Sequence, residues 1–168
     1  DRIIFCQESN RKESADNYVS DGKEAVDVPL AKIVELAIGH LGDEEPFFIM
    51  CEGGAIDWAA HDNKTMSTVQ EVLDFDAAVA VAYRFYQEHP EETLIVVTAD
   101  HETGGMAIGS RKGRSTVNWA KLEEQWKADG GKNTMSPAEN MELNETCSIG
   151  WTTWGHSGAP VPTYAIGK

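Results

Sequence analysis

Two short uncharged runs decide most of what this chain can become. PFFIMC, residues 46–51, and TLIVVTA, residues 93–99 with the apolar run TLIVV, are too short for buried helices and read as strands. They would be buried on both faces if the sheet is parallel. Segments of helical spacing separate them. DVPLAKIVELAIGHL sets Leu30, Ile33, Val34, Ala37 and Leu41 on one side, starts at Pro29 and stops at Gly42. A second helix runs from Met66 to about Glu88, with Val69, Val72, Leu73, Val79, Ala82 and Phe85 on its apolar side. GMAIG offers a third strand. Helix, strand, helix, strand is the α/β pattern, here expected as part of a mostly parallel sheet flanked by helices. Sites in such folds form at the carboxyl ends of strands.

The flanking sequence is less regular. Residues 1–28 are polar and read as loop or as the frayed end of a cut. Residues 110–150 turn rich in Gly, Ser, Lys and Asn around one helical piece, VNWAKLEEQWKA, and read as a variable, cap-like insertion. TYAIG near the C-terminus is strand-like. With 168 residues, 41% hydrophobic and 25% charged, the chain has the material for one domain with a core. Cys6, Cys51 and Cys147 are too few and too scattered for a disulfide framework or a zinc knuckle. No apolar run approaches the ~20 residues that span a bilayer, and the N-terminus has no signal-peptide pattern.

The formal net charge of −14 argues against a nucleic-acid or anionic-membrane surface, because Lys and Arg supply the attraction to phosphates in both. An anionic substrate would need positive charge from another source, and bound metal ions are one. The acidic and histidine residues gather where such ions would be useful. Glu52 and Asp57 follow the first apolar run, and Asp100 and His101 follow the second. Asp57 and His61 stand four apart, on one face of a helical turn. A carboxylate and an imidazole so placed can reach one Zn²⁺. Alone, such a pair is more often an N-terminal charge beside a surface histidine, and Asp100-His101 alone is equally unspecific.

Three coincidences favour metal. Both pairs follow apolar runs, both have Gly pairs nearby (Gly53-Gly54 and Gly104-Gly105), and His156 lies in another small-residue turn, WTTWGHSG. Several buried carboxylates without cationic partners would be costly, and metal ions remove that cost.

CEGGAIDWAAHD, TLIVVTADHETGG and WTTWGHSGAPVP, in that order, resemble the alkaline phosphatase family. The resemblance covers about Pro46 to the C-terminus, apart from 110–150, and implies a partial alkaline-phosphatase-like domain over 1–168. It implies that Asp57, His61 and His156 bind a first zinc, that Asp100 and His101 bind a second, and that Glu52 serves a neighbouring magnesium. The implied reaction is hydrolysis of phosphate monoesters through a phosphoserine intermediate, with two Zn²⁺ and one Mg²⁺ as cofactors. A periplasmic or secreted location and a homodimeric parent are implied in the same way.

Two departures stand out. Trp58 follows Asp57, where better-known relatives carry Lys or His, and an indole cannot make a charged contact with phosphate. The family's Asp-Ser-Ala nucleophile motif is also missing, since Ser14-Ala15 in KESADNY lacks the preceding Asp. No counterpart is found for the substrate-binding Arg, for the Asp completing the second zinc site, or for the remaining magnesium ligands. The chain therefore reads as the C-terminal half of such an enzyme, inactive on its own. Alternatives are another member of the same two-metal superfamily, such as a phosphodiesterase, a sulfatase or a cofactor-independent mutase, and a non-catalytic metal-binding fragment. Glu102 and Thr103 read as turn residues supporting Asp100 and His101. Trp151 and Trp154 read as packing around the His156 turn, and His40 and His89 as solvated.

Overall fold

The computed structural model describes residues 28–42, 46–109, 116–128 and 135–168. The loop expected at 1–28, all but its last residue, lies outside the described residues, with Cys6 and the Ser14-Ala15 pair.

The first helical pattern forms α1, Leu30–Leu41, and Gly42 closes it with an N–H donated to the Ile38 carbonyl at 2.7 Å. Helix α2, Ala55–His61, carries both Asp57 and His61. Its stop is built from backbone. Asn63 takes a left-handed φ of 51° and donates its N–H to the Ala60 carbonyl, while the Lys64 N–H reaches Ala59. Asn tolerates this conformation better than most side chains, and the closure satisfies carbonyls the helix would otherwise orphan. Helix α3, Thr65–Glu88, follows at once, and α1 and α2 both pack on it.

The strands depart from the expected sheet. Strand β1, Leu94–Val97, pairs antiparallel with β6, Tyr164–Gly167. Strand β2, Glu102–Thr103, pairs antiparallel with β5, His156–Ser157, and β3, Ala107–Ile108, with β4, Ile149–Gly150. The described residues thus hold three two-stranded antiparallel ribbons where a mostly parallel sheet was expected. The 46–51 run forms no strand among them, since strand pairing needs a neighbour for each N–H and C=O and none is supplied there. Its side chains are far from buried: Phe48 is 87% exposed and Met50 82%. Strand β1 covers one face only, with Leu94 and Val96 exposed and Ile95 and Val97 half-buried.

Helix α3 differs from its sequence pattern in a similar way. Thr65, Ser67, Thr68, Glu71 and Ala78 are its buried positions, whereas Val72 and Leu73 are exposed. The small and hydroxyl-bearing first turns are the most buried part of the helix, while Val69, Val79, Ala82 and Phe85 of the apolar side are half-buried, Phe85 against Phe47. A cluster of buried apolar residues lies within 110–150. Helix α4, Trp119–Ala128, contributes Leu122, and α5, Pro137–Thr146, contributes Leu143. Cys147 and Ile149 complete the cluster, and Met66, Val117, Met135 and Trp151 pack against it.

Candidate metal centre

Three elements meet at one point. Helix α2 brings Asp57 and His61, the turn after β1 brings Asp100 and His101, and β5 brings His156. The β2–β5 ribbon explains how residues 55 apart become neighbours. Thr103 lies opposite His156 and Glu102 opposite Ser157, so the residue next to each strand end is carried with the register. Gly104 secures the junction. Its N–H donates to the Gly155 carbonyl at 3.0 Å, and its carbonyl accepts from Thr152 and Thr153 at 2.9 and 3.1 Å. With a φ of 85°, and with the Trp151 ring 2.4 Å from where a Cβ would stand, only Gly fits there.

The distances are short. His61 Nε2 is 3.3 Å from His156 Nε2 and 3.5 Å from Asp57 Oδ1, and His156 Nε2 is 3.7 Å from the same oxygen. The His101 and His156 rings stack with centroids 3.5 Å apart and an interplanar angle of 22°. Asp57, His101 and His156 also form a set whose ligand atoms all lie within 4.8 Å of one another. Two triads therefore share the Asp57–His156 edge.

Hydrogen bonds at the far side of each ring decide which nitrogen faces inward. The His61 Nδ1 lies 2.6 Å from the Trp154 carbonyl, which can only accept, so Nδ1 carries a proton and Nε2 is the nitrogen turned toward His156. Thr103 does the same for His101 by a relay. Its hydroxyl donates to Asp57 Oδ1 at 2.5 Å, which commits its one proton, so at 3.2 Å it accepts from His101 Nδ1–H. His101 Nε2 is then the nitrogen free to face the cluster. Glu102 holds the backbone behind these residues: one carboxylate oxygen accepts from the Gly105 N–H at 2.7 Å and the other from the Ser157 hydroxyl.

The remaining two expected residues are less engaged. Asp100 is exposed, and its Oδ2 lies 3.4 Å from His101 Nε2. Glu52 is exposed at the mouth of a cavity of about 240 Å³ between α1 and the 49–52 segment, and no hydrogen bond or ion pair links it to the histidines among the described residues. Trp151 donates its Nε1–H to Thr65 at 3.0 Å. Sequence reasoning left Thr103 and Glu102 as general turn support, and it passed over Asn63. The hydroxyl that directly follows the acidic and imidazole residues in DHET was the available signal for Thr103.

The donor set suits a divalent cation. Ligands around a tetrahedral Zn²⁺ at bond lengths near ~2.0–2.1 Å stand roughly 3.3–3.4 Å apart. The edges of the Asp57–His61–His156 triad, 3.3, 3.5 and 3.7 Å, are close to that. Without a cation, two imidazole nitrogens this close can share only one proton. Among the described residues the ion-pair partners of Asp57 are His61 and His156, with no Lys or Arg beside it.

Residues 13–133 match the alkaline phosphatase family. Alkaline phosphatase 3 of Bacillus subtilis is 32% identical over 187 residues, a match covering 84% of this chain and 40% of that protein. A crystal structure of a cold-active alkaline phosphatase from a psychrophilic Shewanella superposes with a TM-score of 0.72 at 28% identity, covering 90% of this chain and 47% of that one. An alkaline phosphatase mutant from the Antarctic bacterium TAB5, with Mg bound in its M3 site, gives a TM-score of 0.58 at 32% identity, covering 82% of this chain and 34% of that one. The chain belongs to the alkaline phosphatase family, and it spans under half the length of these relatives.

Proposed function

We propose that this chain supplies the metal-binding portion of a phosphate-monoester hydrolase that works through a phosphoserine intermediate. The observation that carries the reading is the near-tetrahedral spacing of Asp57, His61 and His156, with His61 Nε2 turned inward by the Trp154 carbonyl. Those three residues would hold the first zinc, and Asp100 with His101 would contribute to the second. Glu52 is assigned to magnesium on its motif position alone. Bound there, the cations would supply the positive charge this acidic chain lacks, polarise a phosphoryl oxygen and lower the pKa of a hydroxyl or water.

The chain's own residues do the positioning. Thr103 keeps Asp57 and His101 in one hydrogen-bonded unit, and Glu102 anchors the turn that presents them. On this reading residues 1–168 form part of one domain, with 110–150 inserted into it. A periplasmic or secreted location and a homodimeric parent rest on the family alone, and no helix among the described residues is long and apolar enough to cross a membrane.

Zinc titration of the chain tests the ligand set. The Asp57–His61–His156 site should fill first, and His61→Ala or His156→Ala should remove that step. Equal filling of both sites in the unsubstituted chain would overturn the order. The zinc-loaded chain should not turn over a chromogenic phosphate monoester, because no serine in an Asp-Ser-Ala context is present in it. Robust turnover abolished by His101→Ala would place a nucleophile within these 168 residues and refute that part of the reading.

A further inference from the structure

A buried polar ring lies directly behind the candidate metal centre, on the side of α5. Asn144 is 4% exposed, Asn63 5% and Thr65 3%. The Thr65 hydroxyl donates to Asn144 Oδ1 at 2.6 Å, and Asn144 Nδ2 donates to the Asn63 carbonyl at 2.9 Å. Trp151 Nε1–H donates to the same Thr65 oxygen. The Asn63 amide, turned as its neighbours demand, donates to the carbonyls of Ala60 and Thr153 at 3.0 Å each.

Every one of these groups is paired, and all the bonds but Asn63–Ala60 join distant parts of the chain. Asn63 is the left-handed residue that ends α2 two positions after His61. Thr65 opens α3, and Trp151 and Thr153 begin the arm that ends in His156. Asn144 touches neither histidine, but it binds both the stop of the helix that carries His61 and, through Thr65, the arm that carries His156. The apolar cluster of Leu122, Leu143, Cys147 and Ile149 keeps α5 in place behind it, with Trp151 and Met66 packed against it. A carboxamide suits this position because it accepts and donates at once, so a single side chain closes the ring.

We infer that Asn144 is a positioning residue for the metal centre, setting His61 and His156 at their separation through Asn63, Thr65 and Trp151. Helix α5 is then a working wall of the site as well as a part of the 110–150 stretch. The inference rests on the proposed metal-binding role of those histidines, and residues supporting metal ligands in this way change affinity roughly 10–100-fold when removed.

The test uses the whole chain with Asn144→Ala and, as a destabilised control remote from the ring, Val34→Ala. Two signals are read: zinc affinity by titration, and the imidazole ¹⁵N resonances of the metal-free chain. Asn144→Ala should weaken zinc binding roughly 10–100-fold and shift the His61 and His156 resonances, while Val34→Ala at similar loss of melting temperature moves neither. Unmoved signals in folded Asn144→Ala, or equal movement in Val34→Ala, would overturn the inference. Should Asn144→Ala not fold, Thr65→Val and Thr65→Ser decide: Val alone perturbing the signals supports the ring, and Val matching the wild type refutes it. If the unsubstituted chain binds no zinc, the functional reading fails, whereas the metal-free resonances still decide the role of Asn144.

Discussion

At the scale of single residues, the hydroxyl of Thr103 has one proton and two neighbours. It gives the proton to Asp57 and accepts from His101, so the carboxylate and the ring are held by one atom. Thr103→Val keeps the shape and removes the atom. Zinc affinity should then fall by roughly 10–100-fold, and Thr103→Ser should restore most of it; a titration of the three proteins checks this. The two described cysteines make a different case. Burial raises the pKa of Cys51, helped by the nearby Asp74 carboxylate, and burial raises Cys147 despite Lys121. Both thiols should alkylate slowly at neutral pH. Because the folded state holds these protons more tightly than the unfolded chain, their stabilising contribution is complete below the ordinary thiol value of 9.0 and is lost as pH rises through the raised range. Denaturation midpoints rising between pH 8 and pH 10 would contradict this sign.

At the scale of elements, α5 starts on a reciprocal cap. The Glu139 N–H donates to the Ser136 hydroxyl oxygen, and the Ser136 N–H donates to the Glu139 carboxylate, with Pro137 at the first helical position. Ser136→Ala should cost about 1 kcal/mol, measured by chemical denaturation. The turn after β2 is stricter. A Cβ at Gly104 would meet the Trp151 ring at 2.4 Å and the Ala60 carbonyl at 2.9 Å, at a φ of 85°. Gly104→Ala should therefore cost at least ~2 kcal/mol and displace Trp151, visible as a shift in tryptophan emission. An unchanged melting temperature would show that the ring can move aside freely.

At the scale of the molecule, large apolar side chains are left open to solvent on several elements. Phe48, Met50, Leu73, Leu94, Val96, Ile108 and Tyr164 are all exposed, more than scattered surface hydrophobics account for. The isolated chain should bind a fluorescent apolar probe and self-associate at micromolar concentration. Phe48→Lys with Met50→Lys should reduce both in sedimentation and fluorescence measurements, with α1 and α3 intact by circular dichroism.

Local information was enough for α1 and α3. Apolar spacing and a terminal Gly mark α1, and uninterrupted helical periodicity marks α3, because a helix satisfies its backbone within its own segment. The candidate residues could be named as well: Asp57, His61, Asp100, His101 and His156 are residue types able to bind metal, each beside small residues or at the end of an apolar run. Strand pairing was not legible, since a strand's partner is a distant segment. PFFIMC reads like TLIVV, but only TLIVV finds one among the described residues, and it runs antiparallel. Helix α5 was missed although Ser136-Pro137 and Glu139 spell its cap, because its apolar positions are few. Tertiary structure alone decided that Thr103 joins Asp57 to His101 and that Asn144 closes a ring with Asn63 and Thr65. A hydroxyl or amide has no periodicity, and its role is set by whichever donor or acceptor the fold brings within hydrogen-bonding reach.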